Sequence, residues 1–95
     1  MTKRKVPESL LPHLQRYKER LEAIQPLSDD ARQLLSAMGF LHLFLEIRML
    51  FPSYEEAYEY LESQHERITG ERMYSEYDSF RRGYLRWKTK KRSPE

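Results

Sequence analysis

Apolar residues recur at alternating steps of four and three from Leu10 through Leu14, Tyr17, Leu21 and Ile24, tracing one stripe of an amphipathic helix. Pro12 falls in or just before the first turn of that segment, where a missing N–H costs little, and Pro26 stops it. A second helix is expected after Ser28, an N-cap followed by Asp29 and Asp30 at the positive helix end. Ala31, Leu34, Leu35, Met38, Leu41 and Leu45 form its inward stripe, and Gly39 is a place for it to kink or divide. Beyond Gly39 the chain is apolar almost all round, so this is expected to be the most buried element. Leu41, Leu43, Leu45, Ile47, Met49 and Phe51 also alternate with the period of a strand, but the leucine, methionine, glutamate and arginine content favours a helix.

Pro52 closes that run, and Ser53 with Glu56 has the spacing of a capping box. Tyr54, Ala57, Tyr58, Leu61, His65 and Ile68 then make a stripe, with Glu56, Glu59, Ser63 and Glu66 on the opposite side. Thr69 and Gly70 finish this helix, and Gly70 is available for a left-handed C-terminal residue. Ser75 and Asp78 supply a further capping pair. In the helix that follows, Tyr77, Phe80, Tyr84 and Trp87 fall within one sector while Ser79, Arg82, Arg86 and Thr89 point away. Gly83 weakens this helix and leaves room for another backbone to approach. The pattern therefore predicts an all-α fold: a compact single-domain bundle of four to five helices over residues 1–88, ending in a helix-turn-helix-like pair, with a basic flexible tail at 89–95.

Composition narrows the class. With 34% charged and 39% apolar residues in a 95-residue chain, the core is small, and aromatics at 13% compensate by burying large areas per position. Chains of this size often gain stability by pairing, so a homodimer is a natural expectation. Cysteine is absent, which excludes disulfides and thiolate metal sites and fits a cytoplasmic location. The basic start, Lys3, Arg4 and Lys5, runs into Pro7 and Glu8 rather than into the apolar region of a secretory signal. The longest apolar stretch, Phe40 to Phe51, is broken by His42, Glu46 and Arg48 and falls short of the roughly 20 residues a membrane span needs.

Charge adds most to the picture. Between Tyr54 and Asp78 eight carboxylates face only Arg67 and Arg72, whereas Ser79 to Pro94 holds seven cations and no acid, an asymmetry hidden by the net charge of +2. A helix-length basic run interleaved with aromatics suits a polyanion. On this reading double-stranded DNA is the partner. Ser79, Arg82 and Arg86 reach phosphates or base edges, Ser75 and the helix N-terminus take a further phosphate, and Lys88, Lys90, Lys91 and Arg92 track the backbone. Two features oppose a standard helix-turn-helix: the connection from Thr69 to Tyr74 exceeds the usual 3–4 residues, and Glu76 and Asp78 repel phosphate. The competing reading is a protein-binding adaptor or inhibitor whose acidic face, Glu56, Glu59 and Glu66, receives a basic partner.

Catalysis is not expected, and neither is a cofactor. His13, His42 and His65 lie on different helices without metal-ligand spacing. His65 reads as a packed side chain donating to a carbonyl and His13 as exposed. Glu55, Glu59 and Glu62, or Glu56, Glu59 and Glu66, read as neighbours on a solvated face, partly paired with Arg67 or other cations. The sequence contains no glycine-rich phosphate loop and no Ser/His/Asp spacing.

The stretch Ser53-Tyr-Glu-Glu-Ala-Tyr-Glu-Tyr-Leu61, then Thr69-Gly70, then Tyr77-Asp-Ser-Phe-Arg-Arg-Gly-Tyr-Leu-Arg86, resembles the small TraK-like proteins of conjugative plasmids. Those carry an amphipathic helix, a glycine-containing turn and a Tyr-x-x-Phe-x-Arg-type helix with further basic residues. The N-terminal helix and the acidic face of the supporting helix depart from that pattern. The resemblance implies binding of plasmid transfer-origin DNA in aid of a relaxase, with Tyr77 and Phe80 as packing residues and Arg81, Arg82 and Arg86 toward DNA. The expectation is thus a non-enzymatic DNA-binding accessory or regulatory protein of a plasmid or similar mobile element.

Overall fold

Ser36 divides the long apolar run in two. Its backbone takes an extended ψ of 148°, which ends one helix, and its hydroxyl accepts the Gly39 N–H at 2.9 Å, which starts the next. In this computed structural model, which describes the backbone of residues 3–92 and all their side chains except those of residues 30 and 90–92, five α-helices follow in order. They are α1 (Leu11–Glu22), α2 (Asp29–Leu35), α3 (Ala37–Ile47), α4 (Tyr54–Thr69) and α5 (Tyr77–Arg92), with short 3-10 turns at Glu8–Leu10 and Arg48–Leu50. Among the described residues there is no strand, so the helical reading of the Leu41–Phe51 alternation holds. The all-α fold expected from the periodicity is the fold observed.

Two details differ from the sequence pattern. The second apolar segment breaks at Ser36 rather than at Gly39, and the break resets the register, so Met38 turns out to solvent and is 49% exposed. Phe40, Leu43, Phe44 and Ile47 take the interior instead. Gly39 has a different role: a Cβ placed there would lie 1.9 Å from the Gln33 carbonyl oxygen, so only glycine lets the two helices meet at this angle. Gly83, by contrast, has no atom within 4 Å of a Cβ position, so no backbone approaches it closely.

The core centres on α3. Leu21 and Ile24 reach it from the end of α1, Ala31 and Leu34 from α2, Ala57, Tyr58 and Leu61 from α4, and Phe80 from α5. Each leucine, isoleucine or phenylalanine among them contributes roughly 1.5–3 kcal/mol on full burial. Arg67 on α4 ties α1 down: its guanidinium donates to the carbonyls of Leu21 and Ile24 at 3.1–3.4 Å, satisfying the free C-terminal end of that helix. The sequence reading had given Arg67 to neighbouring glutamates. The structure spends its positive charge on the negative end of a helix dipole instead.

Helix α4 begins and ends as its caps dictate. The Ser53 hydroxyl accepts the Glu56 N–H at 3.2 Å, and the Glu56 carboxylate accepts from that hydroxyl at 3.5 Å. Gly70 closes the helix at φ 83°, with its N–H donating to Glu66 O at 2.7 Å.

These contrasting glycines give a direct test by urea denaturation. Gly39→Ala forces the Gln33 backbone to move and is expected to cost about 3 kcal/mol, at the upper end for overpacking. Gly83→Ala meets open space in an exposed helix and is expected to stabilise the protein by roughly 0.5–1 kcal/mol.

Candidate nucleic-acid interface

The position of α5 is set by a carboxylate inside the protein. Glu62, fully buried at 0% exposure, accepts hydrogen bonds from the Tyr58 hydroxyl at 2.6 Å and from the backbone N–H groups of Met73 and Tyr74 at 2.8 and 2.9 Å. Three donors to one carboxylate offset its desolvation and pin the 70–76 connection along α4. Arg72 reinforces the clamp. It forms a two-point pair with Glu59 at 3.0 and 3.3 Å, donates to the Tyr58 hydroxyl at 3.2 Å and reaches the Tyr74 carbonyl at 3.1 Å. His65 completes it: because a carbonyl only accepts, Nδ1 must carry the proton it gives to Glu71 O at 2.7 Å. Sequence reasoning expected this contact for His65, but it placed Glu62 on a solvated face, because its spacing matches that of its exposed neighbours.

With the connection held, α5 lays its aromatic stripe on the core as its spacing predicted. Phe80, 2% exposed, sits 4.9 Å from the Tyr58 ring in a stacked arrangement and 4.8 Å from Phe44 edge-to-face. Tyr77, Tyr84 and Trp87 pack partly buried beside it. The opposite side of α5, with Arg82 and Arg86, is then fixed toward solvent, and Arg81 and Lys88 on the flank beside the stripe are exposed as well. None of these four makes an ion pair; among the described residues the ion pairs are Lys3–Glu56 and Arg72–Glu59, each at 3.0 Å.

Other expected contact residues fare differently. Ser79 is half-buried rather than outward. Ser75 is exposed, but α5 starts at Tyr77 and no Ser75–Asp78 bond caps it. Glu55 from α4 joins Glu76 and Asp78 around the helix start, in a hollow of about 380 Å³ shared with Tyr77 and Arg81. Those carboxylates repel a phosphate at the N-terminus, so the expected Ser75 phosphate contact is not supported there. The chain is helical through Arg92, where a loose end from Thr89 was expected. The side chains of Lys90, Lys91 and Arg92 lie outside the described set. On the acidic side, Glu56 is engaged by Lys3 and Glu59 by Arg72, leaving Glu66 exposed without a side-chain partner among the described residues.

The sequence reading missed a basic cluster made by distant residues. The Arg4 N–H donates to Pro52 O at 2.9 Å, and its guanidinium donates to the Arg48 carbonyl. Both guanidinium groups lie over the Tyr54 ring, at 5.0 and 5.6 Å from its centroid, and Arg48 donates to the Tyr84 hydroxyl at 2.6 Å. No local spacing announces contacts between residues 4, 48, 54 and 84. The only available signal was the unexplained cations at Arg4 and Arg48.

Among the described residues no group of three or more His, Asp or Glu side chains is placed to hold a metal, and no helix is long and apolar enough to cross a membrane. Comparison with protein-family models, curated proteins and solved structures finds no match to this chain.

Two predictions test this arrangement. Glu62→Ala strands two backbone N–H groups and leaves the Tyr58 hydroxyl only the Tyr74 carbonyl at 3.4 Å to donate to, and thermal or urea melts are expected to show a loss on the order of 3–5 kcal/mol. Glu62→Gln, which keeps one accepting oxygen but turns an NH₂ toward donors, should lose less. The second concerns alkali. Burial, and then the Glu62 carboxylate, hold the Tyr58 phenol well above its ordinary value of 10.0; burial and then Glu22, which accepts from Tyr60 at 2.8 Å, do the same for Tyr60. Burial also raises Tyr74 and Tyr77. Above roughly pH 10 the unfolded chain loses these protons while the folded chain keeps them, so stability is complete below that pH and falls above it. Thermal melts across this range are expected to show that decline, with a shallower slope for Tyr60→Phe.

Proposed function

We propose that the protein binds double-stranded DNA through the middle and C-terminal half of α5. The observation that carries this reading is the segregation on α5: Phe80 is buried against Tyr58 and Phe44, while Arg82 and Arg86 stand exposed without a carboxylate partner among the described residues. Guanidinium groups on a rigid helix can present paired donors to phosphate oxygens or to guanine edges. Arg81 and Lys88 flank them, and Lys90, Lys91 and Arg92 extend the positive run in sequence. The acidic hollow at the start of α5 directs a polyanion away from the helix N-terminus and toward this later half.

The resemblance of the α4–α5 sequence to the small TraK-like proteins supports an accessory or regulatory role on plasmid or other mobile-element DNA, without catalysis by this chain. The alternative, an adaptor or inhibitor using the α4 glutamates, has less surface to offer. Glu56 and Glu59 already have internal partners, and Glu66 alone makes a weak steering site.

Gel-shift or anisotropy titrations at several salt concentrations test the proposal. Arg82→Ala with Arg86→Ala is expected to weaken binding by roughly tenfold per arginine and to lower the log–log salt slope by about two, with helical circular dichroism unchanged. Unchanged affinity in a folded double variant would remove α5 as the contact helix. A protein partner retained at high salt and lost in Glu66→Gln would favour the adaptor instead.

A further inference from the structure

Beside α5, on the flank next to its aromatic stripe, lies a cleft of about 480 Å³, within the range of roughly 300–1,000 Å³ that small-molecule sites occupy. Its charged lining is entirely basic. Arg48, Arg81 and Lys88 border it, and no Asp or Glu does among the described residues. Its other walls include the rings of Tyr54, Tyr77 and Trp87.

The Arg48 side of this cleft is electrostatically unbalanced. Arg4 and Arg48 share the Tyr54 ring, neither is paired with a carboxylate, and the buried Nε of each makes no hydrogen bond among the described residues. Like charges held together at reduced exposure raise the local positive potential, and an anion seated nearby relieves it. The Tyr84 hydroxyl, which accepts from Arg48 at 2.6 Å, fixes that guanidinium at the cleft wall. Helix α5 is the opposite wall and carries Arg81 and Lys88 one heptad apart, hence on one side of the helix. The cleft thus pairs what a phosphate needs, cations with fork-like donors, with what a planar base needs, aromatic surface.

We propose that this cleft binds one nucleotide unit, its phosphate between Arg48 and Lys88 and its base against the aromatic walls. That unit can be a free nucleotide or an unpaired nucleotide within a DNA strand, since both present the same phosphate and base. The site does not rest on the duplex contact assigned to Arg82 and Arg86, which face solvent on another side of α5.

The chain has a single tryptophan, and Trp87 lines the cleft, so its emission reports occupancy directly. The full chain is titrated with thymidine monophosphate, with a short oligothymidylate and with inorganic phosphate. Saturable quenching by the mononucleotide or by the oligomer is expected, with inorganic phosphate competing but not quenching comparably. Lys88→Glu, an exposed position that leaves the fold intact, should raise the dissociation constant by about tenfold or more. Arg48→Lys, which keeps the charge but loses the fork, should weaken binding as well, whereas Arg82→Ala with Arg86→Ala should leave mononucleotide quenching unchanged. Quenching by the mononucleotide identifies the free species as sufficient, and quenching by the oligomer alone identifies the strand. No saturable change with either, or quenching indifferent to both Lys88→Glu and Arg48→Lys, overturns the site. Loss of duplex binding in the Arg82/Arg86 variant bears only on the other surface.

Discussion

A single buried carboxylate governs how the C-terminal third is organised. Glu62 draws the Met73 and Tyr74 N–H groups onto α4 and accepts the Tyr58 hydroxyl, so the segment leading into α5 has one place to lie. Aromatic packing alone would not be so selective, because rings tolerate a range of tilts and offsets at similar energy. Hydrogen bonds to a desolvated carboxylate do not: a displaced partner leaves a group unsatisfied at a cost of about 1–3 kcal/mol. The direction in which Arg82 and Arg86 point is therefore decided one helix away, by a residue that touches neither.

The protein also shows how a chain with mean hydropathy of −0.88 makes a core. Aliphatic chains, phenylalanines and Tyr58 fill its interior, other amphipathic rings pack around them, and the polar ends of the tyrosines serve as connectors. Tyr60 on α4 meets Glu22 on α1, and Tyr84 on α5 meets Arg48 after α3, each joining separate elements, while Tyr58 meets Glu62 within α4 and reaches the Tyr74 carbonyl of the connection before α5. Phe40 and Phe44 supply edge-to-face partners at the centre, with Phe80 arriving from α5. Tyr84 also joins Tyr54, Tyr77 and Trp87 in walling the basic cleft, so that connector belongs to the candidate ligand surface as well.

Much of this was legible in the amino-acid order because it is local. The caps at Ser28 and Ser53, the left-handed Gly70, the inward stripe of α5 and the outward Arg82 and Arg86 all follow from spacings within one or two turns. The break at Ser36 was not, since a serine inside an apolar run competes with a nearby glycine as the point of division. Met38 was misplaced for the same reason. Glu62 could not be separated from Glu55 and Glu59 by period, because what buries it is the returning 70–76 connection, not its own helix. Arg67 and Arg48 likewise acquire their roles from chain segments more than thirty residues away. Charge segregation found the basic surface, but charge alone could not place a cleft between α3 and α5.

The hold of Arg67 on the carbonyls of Leu21 and Ile24 gives α1 an unusual mode of attachment. One guanidinium secures the trailing end of that helix, while most of its leading half, from Leu11 to Arg16, is solvated. The leading turns of such an element can open before its buried Leu21 end, without the remaining four helices coming apart. Its amides should accordingly exchange with solvent deuterium through partial openings well below the free energy of global unfolding, the N-terminal turns first.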